Sequence, residues 1–422
     1  MQTFNINEGL SLHVCESSKF KTNYLNVSFV LPLKKETVTN AALLLRVLSR
    51  GTQKYPSMAL ISQRLDYLYD MTMSFRSHKI GERLVLSFDS DFLKNEYLPD
   101  DSTDLVSEAI DMFEQVFFCP HLVDGVFDKD ILESERQDLI NSIRSLINNK
   151  NAYAKQKCTE LMCKDEEYSL CDNGYEEDAL KITAQSLYEF YLDFINSAKA
   201  YVFFVGQANT DFLAQKLEKV FCSRSYTPKG DFATYVSGMP KEQVLEVTEK
   251  MPVNQGKLAL GFRTGVKLGD SDSAAFYLFC EIFGGSPMSK LFMNVREKLS
   301  LCYYCRAASD FAKGVMFVLS GIESQNRDKA KNAIMQELCN IQNGQISDEE
   351  FNAAVLSVIN GYKELYDNPA ALTNWYLARI LAGIYQEPTQ IIEKIKTLTK
   401  KDVCLASQKA KLDTVYFLEG TN

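Results

Sequence analysis

The stretch Gly284-Gly285-Ser286-Pro287-Met288-Ser289-Lys290-Leu291-Phe292-Met293-Asn294-Val295-Arg296-Glu297-Lys298-Leu299-Ser300-Leu301-Cys302-Tyr303 holds residue types suited to gripping a ligand. A planar guanidinium such as that of Arg296 binds a carboxylate or a peptide carbonyl through paired hydrogen bonds, and a phenol such as that of Tyr303 donates to a developing oxyanion. Together they form a candidate substrate clamp. Gly284 and Gly285 stop the preceding helix and would let a peptide backbone approach closely. An ordinary salt-bridged arginine, a half-buried tyrosine and a helix stop use the same residues, so residue types alone leave both readings open.

The elements that must position these groups can be read locally. Ser286 as N-cap and Pro287 in the first turn predict a helix start, because neither leaves an intrahelical bond unmade. Met288, Leu291, Phe292, Val295 and Leu299 then recur at spacings of three and four as one apolar stripe, with Arg296 on its flank. After Ser300 the period becomes two, which puts Leu301, Tyr303 and Cys305 on one strand face and Cys302, Tyr304 and Arg306 on the other. The reversal from helix to strand brings guanidinium and phenol together. Cys302 and Cys305 have CxxC spacing, but this alternation points their sulfurs to opposite faces, and no second CxxC completes a zinc knuckle. An independent enzyme built on either thiol lacks a neighbouring histidine base.

The chain uses one pattern twice. In the first half, strand 25–31 leads into helix 38–48, which stops at Gly51; helix 58–68 and strands 71–75 and 83–88, joined around Gly81, come next. In the second, strand 257–263 leads into helix 271–283; the helix to Leu299 and strands 301–307 and 315–319, joined around Gly314, come next. Long helices and a terminal strand close each half, at 201–205 and 415–418. A duplicated α+β fold accounts for this, with each copy an antiparallel sheet carrying helices on one face. The expected division is a first domain 1–222 with an appended helix 211–221, a linker 223–242, and a second domain 243–422.

Composition narrows the function. With 422 residues, 46% hydrophobic and 24% charged, the chain has material for two well-packed domains. A net charge of −9 and the absence of a basic run exclude a nucleic-acid footprint. No apolar run approaches membrane-spanning length and the amino terminus shows no signal-peptide pattern, so a cytoplasmic protein is expected. Eleven scattered cysteines read as reduced thiols. The three histidines, His13, His78 and His121, form no close pair, and His78 is expected at the surface after a strand.

The duplicated pattern and the segment around Arg296 resemble the pitrilysin/insulinase family of zinc peptidases, the inverzincins, over essentially the whole chain. In that family a glycine-rich turn, a helix with Leu-Phe and Arg-Glu-Lys, and a Leu-x-Tyr strand occur in the order seen from Gly284 to Tyr303, and the resemblance implies substrate-holding roles for Arg296 and Tyr303. Gly51-Thr52-Gln53-Lys54-Tyr55 is similar to the Gly-Thr-x-x-Tyr stretch after the family's metal helix and sets the register. In that register the H-x-x-E-H positions read Ala42-Leu43-Leu44-Leu45-Arg46. Zinc requires imidazole and carboxylate ligands with a carboxylate base beside them, and Ala42 and Leu45 supply neither. Arg46 places a permanent positive charge where the metal would sit. Matching Glu135-Arg136-Gln137 to the family puts Ser142 at the third ligand position.

The resemblance therefore implies a chain with no metal of its own that cannot hydrolyse peptides alone. It resembles the inactive sibling of a heterodimer, supplying substrate-binding residues to a homologous H-x-x-E-H subunit that carries the zinc. Within the family it is similar to the bacterial YfmF group, associated by name with elongation factor P aminopentanol modification. The expected partners are that zinc subunit and a peptide substrate, with neither nucleic acid nor membrane; an isolated chain could pair with itself. The alternative is a scaffold or assembly protein that uses the peptidase fold only to build interfaces.

Overall fold

A computed structural model describes residues 1–99, 103–222, 225–227 and 238–421, so most of the expected linker 223–242 lies outside the described residues. The chain packs as two units, Met1–Arg144 with Leu170–Ala233, and Ser145–Ser169 with Thr234–Asn422.

The first unit contains β1 (Gln2–Asn7), β2 (Leu10–Glu16), β3 (Thr22–Pro32), β4 (Ser74–Ile80), β5 (Arg83–Leu93), the small hairpin β6 (Leu122–Val123) and β7 (Val126–Phe127), and β8 (Lys199–Gly206). Its main sheet runs β1-β2-β8-β3-β5-β4. On it lie α1 (Lys35–Leu48), α2 (Met58–Tyr67), α3 (Leu105–Phe118), α4 (Lys129–Ser145, whose last residue passes to the second unit), α6 (Glu176–Ala179), α7 (Ala184–Ser197) and α8 (Thr210–Phe221). Val27, Phe29 and Leu31 project from β3 into the helical layer, where Phe29 packs 5.2 Å from Phe117 of α3 and 5.1 Å from Phe194 of α7. On the opposite face Ser28 donates to Asn26 at 2.9 Å and meets Ser87 at 3.0 Å, beside buried Val30. Period-two alternation thus gives the strand one oily face and one that carries hydrogen bonds.

The second unit contains α5 (Lys150–Met162), β9 (Leu245–Met251), β10 (Gly256–Arg263), α9 (Ser273–Cys280), β11 (Cys302–Asp310), β12 (Val315–Ile322), α10 (Arg327–Gln342), α11 (Asp348–Glu364), α12 (Pro369–Leu381), α13 (Pro388–Thr397), α14 (Lys400–Ser407) and β13 (Lys411–Gly420). Its sheet order is β11-β12-β10-β13-β9. Taken from β4, the first sheet has the same order with β1 added at the far edge, which is the duplication in three dimensions.

The architecture differs from expectation in two respects. The sheets are mixed rather than antiparallel, because β8 runs parallel to β2 and β13 parallel to β9. Each terminal strand arrives after long helices, and such a crossover can deliver it in either direction. The second sheet, moreover, has helices on both faces. Leu258, Leu260 and Phe262 meet one helical layer, while Ala259, Phe317 and Tyr416 pack with Ala154, Cys158 and Met162 of α5. A Cβ at Gly261 would lie 2.8 Å from the Met162 sulfur, so the helix sits hard against the strand.

A buried ionic network secures the segment that follows α5. Glu166 accepts from Arg263 and from fully buried Lys313, and Lys241 Nζ bonds Asp413 at 2.8 Å. Burial would push the Glu166 carboxyl up, but the Arg263 and Lys313 bonds outweigh it and hold it below the usual carboxylate range.

Strand β4 begins at Ser74, later than expected, because Tyr69 and Asp70 adopt positive φ of 58° and 59° and turn the chain out of α2. His78 therefore lies inside β4, not after it, and its Nδ1 is buried without a partner. Burial, aided by Arg76, pushes its pKa down to about 4. His13 of β2, bonded to Thr3 and Ser11 at 3.0 Å each, is held at about 4 by burial and Lys199. Both are neutral in the fold but take up protons near pH 6.5 when unfolded, so stability present above that pH is lost as pH falls toward 4. Urea unfolding should accordingly show lower stability at pH 4.5 than at pH 7.5. His78→Phe should reduce that drop by about 2 kcal/mol; an unchanged drop would mean that His78 is already charged in the fold.

Candidate functional site

In the first unit, α1 carries the positions where the resemblance places a metal motif. Ala42 and Leu45 are 6% and 4% exposed and belong to the apolar core. Arg46, one turn on, reaches α4, where its Nη2 donates to Ser142 Oγ at 3.0 Å. The Ser142 hydroxyl donates in turn to the Asp138 carbonyl at 2.8 Å. Arg50 forms ion pairs with buried Glu135 and with Asp138 on the same helix. Arg46 and Ser142 thus meet, and the four positions picked from sequence present a methyl group, an isobutyl group, a guanidinium and a hydroxyl. None provides an imidazole or carboxylate ligand. Among the described residues no group of three or more His, Cys, Asp or Glu side chains is arranged to hold a metal ion.

In the second unit, Arg296 and Tyr303 line one cavity of about 350 Å³, together with Glu297, Ser300, Cys302, Glu323 and Asn326. The helix that carries Arg296 starts later and winds wider than the stripe implies. Its regular part is a π-helix, Leu291–Lys298, and the hydroxyl that accepts from its first turn is that of Ser289, from Phe292 N at 3.4 Å, rather than that of Ser286. Leu299 N reaches five residues back to Asn294 O at 3.0 Å. Leu291 and Val295 are buried as expected, whereas Met288 and Leu299 are 53% and 52% exposed, because the late start and wide winding turn them from the core. Phe292 and Arg296 fall side by side, with the guanidinium carbon 4.4 Å from the ring centroid. That stacking and a 3.3 Å pair with Glu297 hold the arginine while leaving it 37% exposed. Tyr303 is 61% exposed, and its hydroxyl makes no hydrogen bond among the described residues.

The strand departs from simple alternation. Cys302 pairs with Ile322 but Tyr304 with Gly321, so Tyr303 is an extra residue in a β-bulge. Cys302 and Cys305 consequently share the buried face and meet, contrary to the expected opposition. The Cys305 thiol donates to Cys302, which holds Cys302 below the usual thiol range with help from Arg296; the same bond and burial push Cys305 up. The bulge also aims Tyr303 outward. Glu323 and Asn326 were not expected at the site; they lie in the short turn that follows β12, and nothing in their local sequence marks them.

Neither Gly284 nor Gly285 lines that cavity. Gly284 ends a π-turn, Glu281–Gly285, and a Cβ there would lie 2.6 Å from the Ala307 backbone nitrogen. Its smallness lets this turn rest on β11. Gly285 is exposed, with the Glu281 carboxylate where its Cβ would be.

Residues 181–358 match the family described as "Peptidase M16 inactive domain". A "Probable inactive metalloprotease YmfF" of Bacillus subtilis is 32% identical over 98% of this chain and 96% of its own length. The chain belongs to the M16 peptidase family. A more distant relative, the "Uncharacterized zinc protease YmxG" of the same organism, is 22% identical over 57% of each chain. Among solved structures, a conserved protein from Enterococcus faecalis V583 aligns with a TM-score of 0.91 and 28% identity, over 99% of this chain and 98% of that one. A peptidase M16 inactive domain from Pseudomonas fluorescens shares the fold, with a TM-score of 0.82 at 16% identity over 100% and 98% of the two chains. None of these names mentions elongation factor P. With its metal positions replaced, the chain is a pseudo-peptidase of the M16 family. No helix among the described residues is long and apolar enough to cross a membrane.

Ser300, between the Arg296 helix and the Tyr303 strand, has a φ of 52°. A left-handed backbone strains any residue with a Cβ. Ser300→Gly should therefore raise stability by up to about 1 kcal/mol, measured by urea unfolding; destabilisation would show that the hydroxyl matters more than the strain.

Proposed function

We propose that this chain is the non-catalytic subunit of a heterodimeric zinc peptidase, in which Arg296 and Tyr303 hold the peptide for a homologous H-x-x-E-H subunit that carries the zinc. The carrying observation is the pairing of two exposed, underused donors in one cavity with a metal helix whose ligand positions are filled by apolar groups and a cation. Arg296 takes a peptide carbonyl or carboxylate, and Tyr303 donates where negative charge develops on the attacked carbonyl. Electrostatic stabilisation depends on donors lying about 3 Å from the developing charge, whichever chain supplies them. In this chain the guanidinium of Arg46 repels a divalent ion, so zinc belongs to the partner. Eleven free cysteines support a reducing, cytoplasmic setting.

The test is to purify the chain with a zinc-bearing homologue and compare peptide turnover with and without Arg296→Ala. Losing one oxyanion-type donor costs about 3 kcal/mol, on the order of a hundredfold in rate, and the complex should still form. Unchanged turnover, or reduced complex yield at normal specific activity, would favour a scaffold that uses the fold only for interfaces. Metal analysis gives a second check: the chain purified alone should contain no stoichiometric zinc, and one equivalent would overturn the pseudo-peptidase assignment. The cleavage products of the active pair would show whether the substrate has any tie to elongation factor P modification.

A further inference from the structure

In the second unit, a separate cavity of about 250 Å³ opens between α9, the end of α11, and α12. Its walls are mostly apolar and aromatic, with Tyr277, Phe311, Tyr362 and Trp375 around it. Tyr277 lies 6.1 Å from Phe311 and 5.7 Å from Tyr362, ring centroid to centroid. Into this lining is set one ionisable cation, Arg379 of α12, only 8% exposed. Its guanidinium carbon lies 3.6 Å from the Trp375 ring centroid, and Nη1 donates to the Trp375 carbonyl at 3.3 Å. Tyr362 is its other hydrogen-bond partner. Among the described residues no carboxylate forms an ion pair with it.

A buried guanidinium without a counter-charge is costly, and proteins ordinarily pair such a group. The other buried arginine of this unit illustrates the rule, since Arg263 is held by Glu166. Burial accordingly pulls Arg379 down to about 10. Trp375 adds an unmet donor, because its indole N–H is buried without an acceptor among the described residues. The cavity holds on the order of eight water volumes, enough for one ring and a short acidic arm. With Arg379 as the only charged residue lining it among the described residues, a dianionic phosphate or a dicarboxylate would leave one charge unmatched.

We propose that this cavity is a binding site for a small aromatic monocarboxylate, whose acid group pairs with Arg379 and whose ring lies among Tyr277, Phe311 and Tyr362. Carboxylate and guanidinium join through charge-assisted hydrogen bonds, and the aromatic walls exclude water from the pair. The site is independent of Arg296 and Tyr303, so it stands or falls apart from the peptidase-subunit proposal.

Trp375 is the only tryptophan in the chain, so its fluorescence reports on the cavity directly. Titration with 3-phenylpropionate should give a saturable change with a Kd below roughly 1 mM, and the neutral 3-phenylpropionamide should bind at least about tenfold more weakly, the loss expected for a charge-assisted bond. Arg379→Met should abolish the preference for the acid. A Cβ at Gly361, on the wall contributed by α11, meets nothing within 4 Å, so Gly361→Leu should fill the cavity without disturbing the fold and weaken both ligands. No saturable change at about ten times that concentration, or equal affinity for acid and amide in the wild-type chain, would overturn the proposal. So would undiminished binding to a folded Gly361→Leu variant.

Discussion

A guanidinium keeps its proton at any working pH, and Arg46 holds one between α1 and α4, where the family resemblance places zinc. The charge is fixed in position as well as in sign, because the Arg46 bond to Ser142 ties the two helices together. Ala42 and Leu45 complete the replacement by joining the core. A metal ion would have to displace a cation and recruit ligands that those side chains do not possess. The vacated site has become part of the scaffold.

The second unit uses similar local means to a different end. Gly284 lets a π-turn rest on the backbone of Ala307, a π-helix then carries Arg296 beside Phe292, Ser300 turns the chain through a left-handed conformation, and a bulge turns Tyr303 outward. Each departure from regular geometry costs energy, and such departures concentrate where side chains must be aimed. Their result is two exposed donors at one cavity. The bulge that frees Tyr303 also brings Cys302 and Cys305 together on the buried face, so both consequences arise from one extra residue.

Much of the architecture could be read from the chain. Helix 38–48 appears as Lys35–Leu48 and helix 211–221 as Thr210–Phe221, because long amphipathic or buried helices repeat their period often enough to be unmistakable. The duplication was legible for the same reason. Several features were illegible. The parallel terminal strands depend on how a long crossover returns, the second helical face on α5 packing from an earlier part of the sequence, and the orientation of Cys302 on a single bulged residue. None of these leaves a periodic trace.

The sequence by itself determined the side-chain chemistry: which positions lack metal ligands, which residues can donate to a peptide, and where the repeated strands and helices lie. Covalent identity and periodicity are local properties, carried by each segment whatever it packs against. Tertiary structure alone decided the neighbours: that Ser142 answers Arg46, that Glu323 and Asn326 join Arg296 and Tyr303, and that Arg379 is enclosed by aromatic rings without a counter-charge. Those contacts depend on how distant segments pack, on a bulge and on a close approach of backbone, and a linear chain records none of them.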